Sequence, residues 1–176
     1  MASTNLKTLH TALGIPRDYA VSRGLIRQPE ARRLVSIGRA ADDGRIVRVT
    51  PRTAGAWRRM NVAAVRDGVV LLPLSGFRSV RRQARNIRRK LAAGETIDAV
   101  LRLVAAPGYS EHHTGRAIDI GSPDDAGLER SFARTRAFRW LRRHVVKFGF
   151  RLSFPPKNPH GFSYEPWHWY FQGKGL

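Results

Sequence analysis

Ser110-Glu-His-His-Thr-Gly-Arg-Ala-Ile-Asp-Ile-Gly121 is the stretch on which the fold turns. Its second half, Ala117-Ile118-Asp119-Ile120-Gly121, alternates with the period of two that marks a half-buried strand. Ile118 and Ile120 then enter a core while Asp119 points to the opposite face, toward a cleft. His112 lies on the loop leading into that strand, and Gly115 lets the chain turn sharply enough to bring His112 and Asp119 together. A second segment, Tyr164-Glu-Pro-Trp-His168, supplies another imidazole. Pro166 biases Glu165 toward extended backbone, which sets Glu165 and His168 on a turn entering a strand. On a turn, residues three apart can converge on one ion; on a straight strand they would face opposite sides.

Two imidazoles and a carboxylate leave a fourth position open, as catalytic zinc sites do, whereas structural zinc sites are closed and usually rich in cysteine. The chain has no cysteine. His112, Asp119 and His168 are therefore the expected ligands of one zinc ion per chain, with Glu165 as a carboxylate base beside it. His113 is the nearest competing imidazole and is expected behind the ligands or at the surface; His160 is a spare candidate close to Glu165. Trp167, flanked by base and ligand, is expected to border the substrate, and Trp169 to fill core or pocket wall.

Outward from these segments, residues 1–28 form a loosely patterned lead with one helix, and a helix is expected near Glu30–Ala41. Thr50 caps a helix with Pro51 at its first position, and Trp57, Met60, Ala64 and Val65 give it an apolar face. Asp67-Gly68 ends that helix before a buried strand, Val69–Leu74. Ser79 caps a basic helix closed by Gly94, and Ile97–Val104 is a short helix. Arg134 to Lys147 is a second basic helix, with Phe138, Leu141, Val145 and Phe148 as its inner stripe and Gly149 at its end. Phe150–Phe154 and His168–Phe171 complete a small sheet. This order predicts an α+β fold, an antiparallel sheet packed against helices in a single domain. A helical lead over 1–49 would join a domain over 50–176 as one compact unit, expected to be monomeric.

Composition sets the limits. A chain of 176 residues with 42% hydrophobic content is enough for one domain with a true core. No apolar run approaches the ~20 residues of a membrane span. Pro16, Arg17 and Asp18 interrupt the only short apolar stretch near the N-terminus, so no secretory leader is expected. The net charge is +19, with Arg78, Arg81, Arg82, Arg85, Arg88, Arg89 and Lys90 making one helix almost wholly basic. Such charge steers a protein toward polyanions. No nucleic-acid motif accompanies it. Anionic envelope polymers are therefore the expected partners, against the alternative of a merely solvated basic face.

The pattern Ser-x-His-x-x-Gly-x-Ala-x-Asp followed by Glu-Pro-Trp-His resembles the zinc D-alanyl-D-alanine carboxypeptidases of the VanY type, within the wider LAS-type peptidoglycan metallopeptidases. Ser75-Gly-Phe-Arg78-Ser79-Val-Arg-Arg-Gln83 resembles a third block of that family, and the likeness runs from about Thr50 to Gly173. The resemblance implies the LAS-type fold, zinc on His112, Asp119 and His168, and Glu165 as general base. It further implies that Arg78 stabilises the oxyanion and that Ser110 and Gln83 contact substrate; a solvated Arg78 and a surface Gln83 are the alternatives. Two departures stand out. The family commonly continues Trp-His-Trp-Arg-Tyr where this chain has Trp167-His168-Trp169-Tyr170-Phe171, and Ser153 stands where an arginine is frequent.

Three functions follow. The first is a carboxypeptidase trimming the terminal D-amino acid of a peptidoglycan stem peptide, at a D-Ala-D-Ala or L,D bond, by zinc-activated water. The second is a lytic endopeptidase cutting within the stem. The third is a non-enzymatic zinc domain binding polyanions, against which Glu165 argues, since a binding module has no use for a base there. The first two would act in the periplasm or cell wall, and spacing does not separate exo from endo cutting.

Overall fold

A computed structural model describes residues 5–173. Residues 1–4 and 174–176, the ends of the two spans expected from sequence, lie outside the described residues. Two short helices, α1 (Leu6–Ala12) and α2 (Tyr19–Ser22), lead into a hairpin of β1 (Val35–Arg39) and β2 (Ile46–Val49). There follow α3 (Pro51–Arg66), β3 (Leu72–Ser75), α4 (Val80–Ala92), α5 (Ile97–Leu103), β4 (Ala117–Gly121), α6 (Arg136–His144), β5 (Phe150–Leu152) and β6 (His168–Phe171). The last four strands form one antiparallel sheet in the order β3-β4-β6-β5. The fold is α+β, as the pattern of elements predicts.

The capping residues act where the sequence places them. Thr50 accepts the Thr53 N–H at the start of α3, with Pro51 following, and Ser79 accepts the Arg82 N–H at the start of α4. Each satisfies a backbone donor that the first helical turn leaves without a partner. One face of the sheet carries Ile118, Ile120, Trp169 and Phe171 into a core shared with Trp57 and Met60 of α3 and Leu141 of α6. A second core joins Leu13, Ile15 and Tyr19 of the lead to Ala84 and Ile87 of α4 and Val100 and Leu101 of α5. The arginines of α4 lie on the other side of that helix, with Arg81, Arg85, Arg88 and Arg89 exposed.

The structure corrects several expectations. No helix spans Glu30–Ala41: the chain is irregular there until β1, which pairs antiparallel with β2. Asp42-Asp43-Gly44 supplies the turn, Gly44 taking φ 70°, and such a turn between alternating apolar residues favours a hairpin over a helix. The lead is thus not wholly helical. β4 is buried along its whole length, not half-buried, because its second face carries the site. Val65 is 60% exposed and does not join the apolar face of α3. The second basic segment is broken into a 3₁₀ turn at Arg130–Arg134, then α6, then a 3₁₀ turn at Val145–Phe148.

Candidate metal centre

Sheet register builds the centre. Asp119 on β4 stands directly opposite His168 on β6, so both side chains leave the same face of the sheet as close cross-strand neighbours. The neighbours of Asp119 along β4, Ile118 and Ile120, leave the other face into the core. His112 arrives from a 3₁₀ turn, Glu111–Thr114, stopped by Gly115 at φ 61°. A left-handed residue there reverses the chain into β4 at little steric cost. Glu165 and His168 sit on the turn that opens β6, closed by the His168 N–H on the Glu165 carbonyl at 3.1 Å.

Donor atoms of His112, Asp119 and His168 lie within 4.8 Å of one another, and all three side chains are buried. His112 Nε2 is 3.2 Å from Asp119 Oδ2, and His168 Nδ1 is 3.1 Å from Asp119 Oδ1. A tetrahedral zinc with bonds of about 2.0–2.2 Å spaces its donors roughly 3.3 Å apart. The donor set therefore fits zinc in kind and in spacing.

The tautomers fit as well. His112 turns Nδ1 to the Gly76 carbonyl at 2.6 Å, a bond that places the proton on Nδ1 and leaves Nε2 as a lone pair toward Asp119. His168 turns Nε2 to Glu111 Oε2 at 2.9 Å, leaving Nδ1 toward the same point. Burial holds His112 down to about 4, against the opposing pull of Asp119, so its ring is neutral. Burial also opposes charge on His168, but hydrogen bonds and charge from Asp119 and Glu111 prevail and lift it to about 10. Burial would raise Asp119, yet the two histidines outweigh it and hold its carboxyl well below the usual range. A second proton on His168 Nδ1, facing the Asp119 carboxylate, thus puts positive charge where a cation would sit.

Glu165 stands apart from these three. Its carboxylate comes no nearer to His168 Nδ1 than 3.9 Å. Burial pushes it up to about 7, with Asp119 and Glu111 adding to the shift and His168 and Arg78 opposing it. A carboxyl poised near neutrality beside a cation site can exchange a proton with a bound molecule at physiological pH.

The remaining sequence-predicted residues converge on the same cleft. Arg78, Gln83, Ser110 and Trp167 line it together with the ligand candidates and Glu165, against an apolar wall of Leu103, Val104, Phe154 and Phe162. Arg78 is not a solvated charge of the basic helix. Its side chain is 16% exposed, lies 4.0 Å from Asp119 and donates to Gln83 Oε1 at 3.1 Å. Gln83 is 1% exposed and donates in turn to the Ala105 carbonyl at 2.5 Å. Trp169 is in the core. His113 lies behind the ligands, fully buried; it accepts the Gly108 N–H at 3.0 Å and meets the Arg78 carbonyl at 2.5 Å. His160 turns to the Arg23 carbonyl at 2.8 Å and joins no cluster.

Sequence reasoning missed Glu111 and Arg151. Arg151 lies 2.9 Å from Glu111 Oε1, and Ser153 donates to Glu111 Oε2 at 2.6 Å. Glu111 carried a signal, since it is an acid placed beside a ligand in a chain with 32 basic and 13 acidic residues. Arg151 carried none.

Comparison with known proteins agrees with this geometry. Residues 47–174 match the family model described as VanY, D-alanyl-D-alanine carboxypeptidase. The putative carboxypeptidase YodJ of Bacillus subtilis is 36% identical over 126 residues, which cover 69% of this chain and 45% of that protein. The chain thus spans under half the length of that relative. Among solved structures, the LdcB LD-carboxypeptidase superposes with a TM-score of 0.74 at 30% identity, covering 82% of this chain and 70% of its own. The vancomycin-resistance D,D-pentapeptidase VanY, solved with Zn(II), superposes with a TM-score of 0.65 at 28% identity, covering 86% of this chain and 88% of its own.

Proposed function

Because the chain belongs to the VanY family of D-alanyl-D-alanine carboxypeptidases, we propose that it is a zinc-dependent carboxypeptidase that removes the terminal D-amino acid of peptidoglycan stem peptides. The observation that carries this reading is the convergence of His112, Asp119 and His168 on one point with Glu165 in the same cleft. In this reading His112 Nε2, the Asp119 carboxylate and His168 Nδ1 hold one zinc. When bound, zinc supplies Lewis-acid chemistry, lowering the pKa of water to roughly 7 and polarising a carbonyl.

The chain's own groups do the rest. Glu165, as the carboxylate, takes the proton of the attacking water and delivers it to the departing amine, returning to its starting state. Its burial, which raises its affinity for a proton, suits it to both halves of that transfer. Arg78 donates to the oxyanion that develops on the attacked carbonyl, and one such donor is typically worth about 3–4 kcal/mol. Its bond to Gln83, itself anchored on the Ala105 carbonyl, orients the guanidinium in advance. Ser110 and Trp167 contact the peptide.

Mass spectrometry of purified muropeptides after digestion tests the proposal. Loss of a single C-terminal residue is the expected result, from a pentapeptide for D,D cleavage or from a tetrapeptide for L,D cleavage. Cleavage inside the stem would instead make the protein an endopeptidase. Intact muropeptides with zinc-loaded protein would leave a binding module.

A further inference from the structure

Glu111 has no part in the chemistry above, yet three side chains hold its carboxylate. Its Oε2 meets His168 Nε2 at 2.9 Å and accepts the Ser153 hydroxyl at 2.6 Å. Its Oε1 accepts from Arg151 at 2.9 Å. The Arg151 guanidinium in turn lies 5.3 Å from the centre of the Tyr170 ring, and Arg116 lies 5.0 Å from that ring. Both carboxylate oxygens are thus engaged, in a side chain only 12% exposed.

The strand register explains how these groups meet. Arg151 on β5 is paired with Tyr170 on β6, and Tyr170 shares a sheet face with His168, two residues before it. Ser153 follows Arg151 by the same interval. Two of the positions where this chain departs from the family pattern, Ser153 and Tyr170, thus lie in the network around Glu111 and Arg151. A buried imidazole that offers Nδ1 to a metal must carry its proton on Nε2, and a fixed acceptor at Nε2 selects that tautomer and ring orientation.

We propose that Glu111 is a positioning residue for the zinc site: held by Arg151 and Ser153, it fixes His168 with its proton on Nε2 and its Nδ1 lone pair aimed at the ion. This rests on the reading of His112, Asp119 and His168 as the zinc ligands. Glu111 acts through His168 and touches neither substrate nor ion.

Zinc affinity, measured by competition with a chromogenic chelator, reads this without recourse to activity. Glu111→Ala should weaken zinc binding about 10–100-fold, the usual effect of removing a carboxylate behind a ligating histidine. Glu111→Gln keeps an acceptor in the same place and should lose less, which also guards against an alanine variant that fails to fold. Arg151→Met should fall between wild type and Glu111→Ala. In ¹⁵N spectra of the zinc-loaded wild type, His168 should carry its proton on Nε2, and Glu111→Ala should broaden or shift that resonance. Affinity within twofold of wild type in a folded Glu111→Ala protein would overturn the proposal. A loss as complete as that of Asp119→Ala would also overturn it, by making Glu111 a ligand. A wild-type protein that binds no zinc would instead defeat the ligand assignment on which the proposal rests.

Discussion

At the scale of single residues, Glu165 meets opposite demands. Catalysis needs it ionised beside the cation, whereas burial raises it to about 7 in the metal-free protein. A carboxyl with a raised folded pKa stabilises the fold below its unfolded pKa near 4.5, and that stability is lost as pH rises through 7. Glu165→Gln removes the charge without changing shape. The zinc-free variant should therefore be more stable than wild type by up to about 3 kcal/mol at pH 8, with the gap closing toward pH 4. Denaturant titrations across that range check it, and a gap independent of pH would contradict the buried-charge explanation. The same variant, loaded with zinc, should lose about 10²–10⁴-fold in turnover. Arg78→Ala should lower kcat more than it raises KM if the guanidinium acts in the transition state; an effect confined to KM would assign Arg78 to substrate capture. The site was largely legible at this scale, because His112, Asp119 and His168 sit in two short motifs whose local geometry follows from Gly115 and Pro166. Arg151 was not, because its meeting with Glu111 depends on which strand pairs with β6.

At the scale of elements, the hairpin that the sequence conceals supports the site. Gly76 carries the carbonyl that accepts the hydrogen bond of His112 Nδ1, and β2 packs directly on it. A Cβ at Gly76 would sit 2.5 Å from the Arg48 carbonyl oxygen and 2.9 Å from Val47 Cγ1. Backbone must then move, and overpacking of this kind typically costs about 1–3 kcal/mol. Gly76→Ala should lower the melting temperature and also weaken zinc binding, since the displaced carbonyl no longer orients His112. A destabilised protein with unchanged zinc affinity would show that the carbonyl is dispensable. Glu30, Ala31, Ala40 and Ala41 are each favourable in helices and so point to a helix, but the first two precede β1 and the last two lie in the turn of the hairpin. Alternation through Val35 and Ile37, the turn at Asp43-Gly44, and alternation again through Val47 and Val49 were the stronger pattern. By contrast α3 and α4 were legible end to end, because Thr50, Pro51 and Ser79 fix their starts through local hydrogen bonds or fixed dihedrals that need no tertiary partner.

At the scale of the whole molecule, positive charge is spread over the surface away from the metal centre. Exposed arginines line α4 and α6, and a separate groove is walled by Arg27, Arg32, Arg33, Arg52 and Arg116. No helix among the described residues is long and apolar enough to cross a membrane. If the charge serves attraction to an anionic envelope, activity on intact sacculi should fall steeply above ~0.15 M salt, where screening acts over roughly 8 Å. Activity on a short soluble stem peptide should change far less, and neutralising Arg85, Arg88 and Arg89 together should imitate high salt on sacculi. Equal salt sensitivity on both substrates would place the charge's effect inside the cleft. All of this depends on a single metal centre, so zinc stoichiometry is the most direct test. Elemental analysis of the purified wild type, Asp119→Ala and His168→Ala proteins should find one zinc per chain in the first and little in the other two. Full occupancy in both variants would contradict the account.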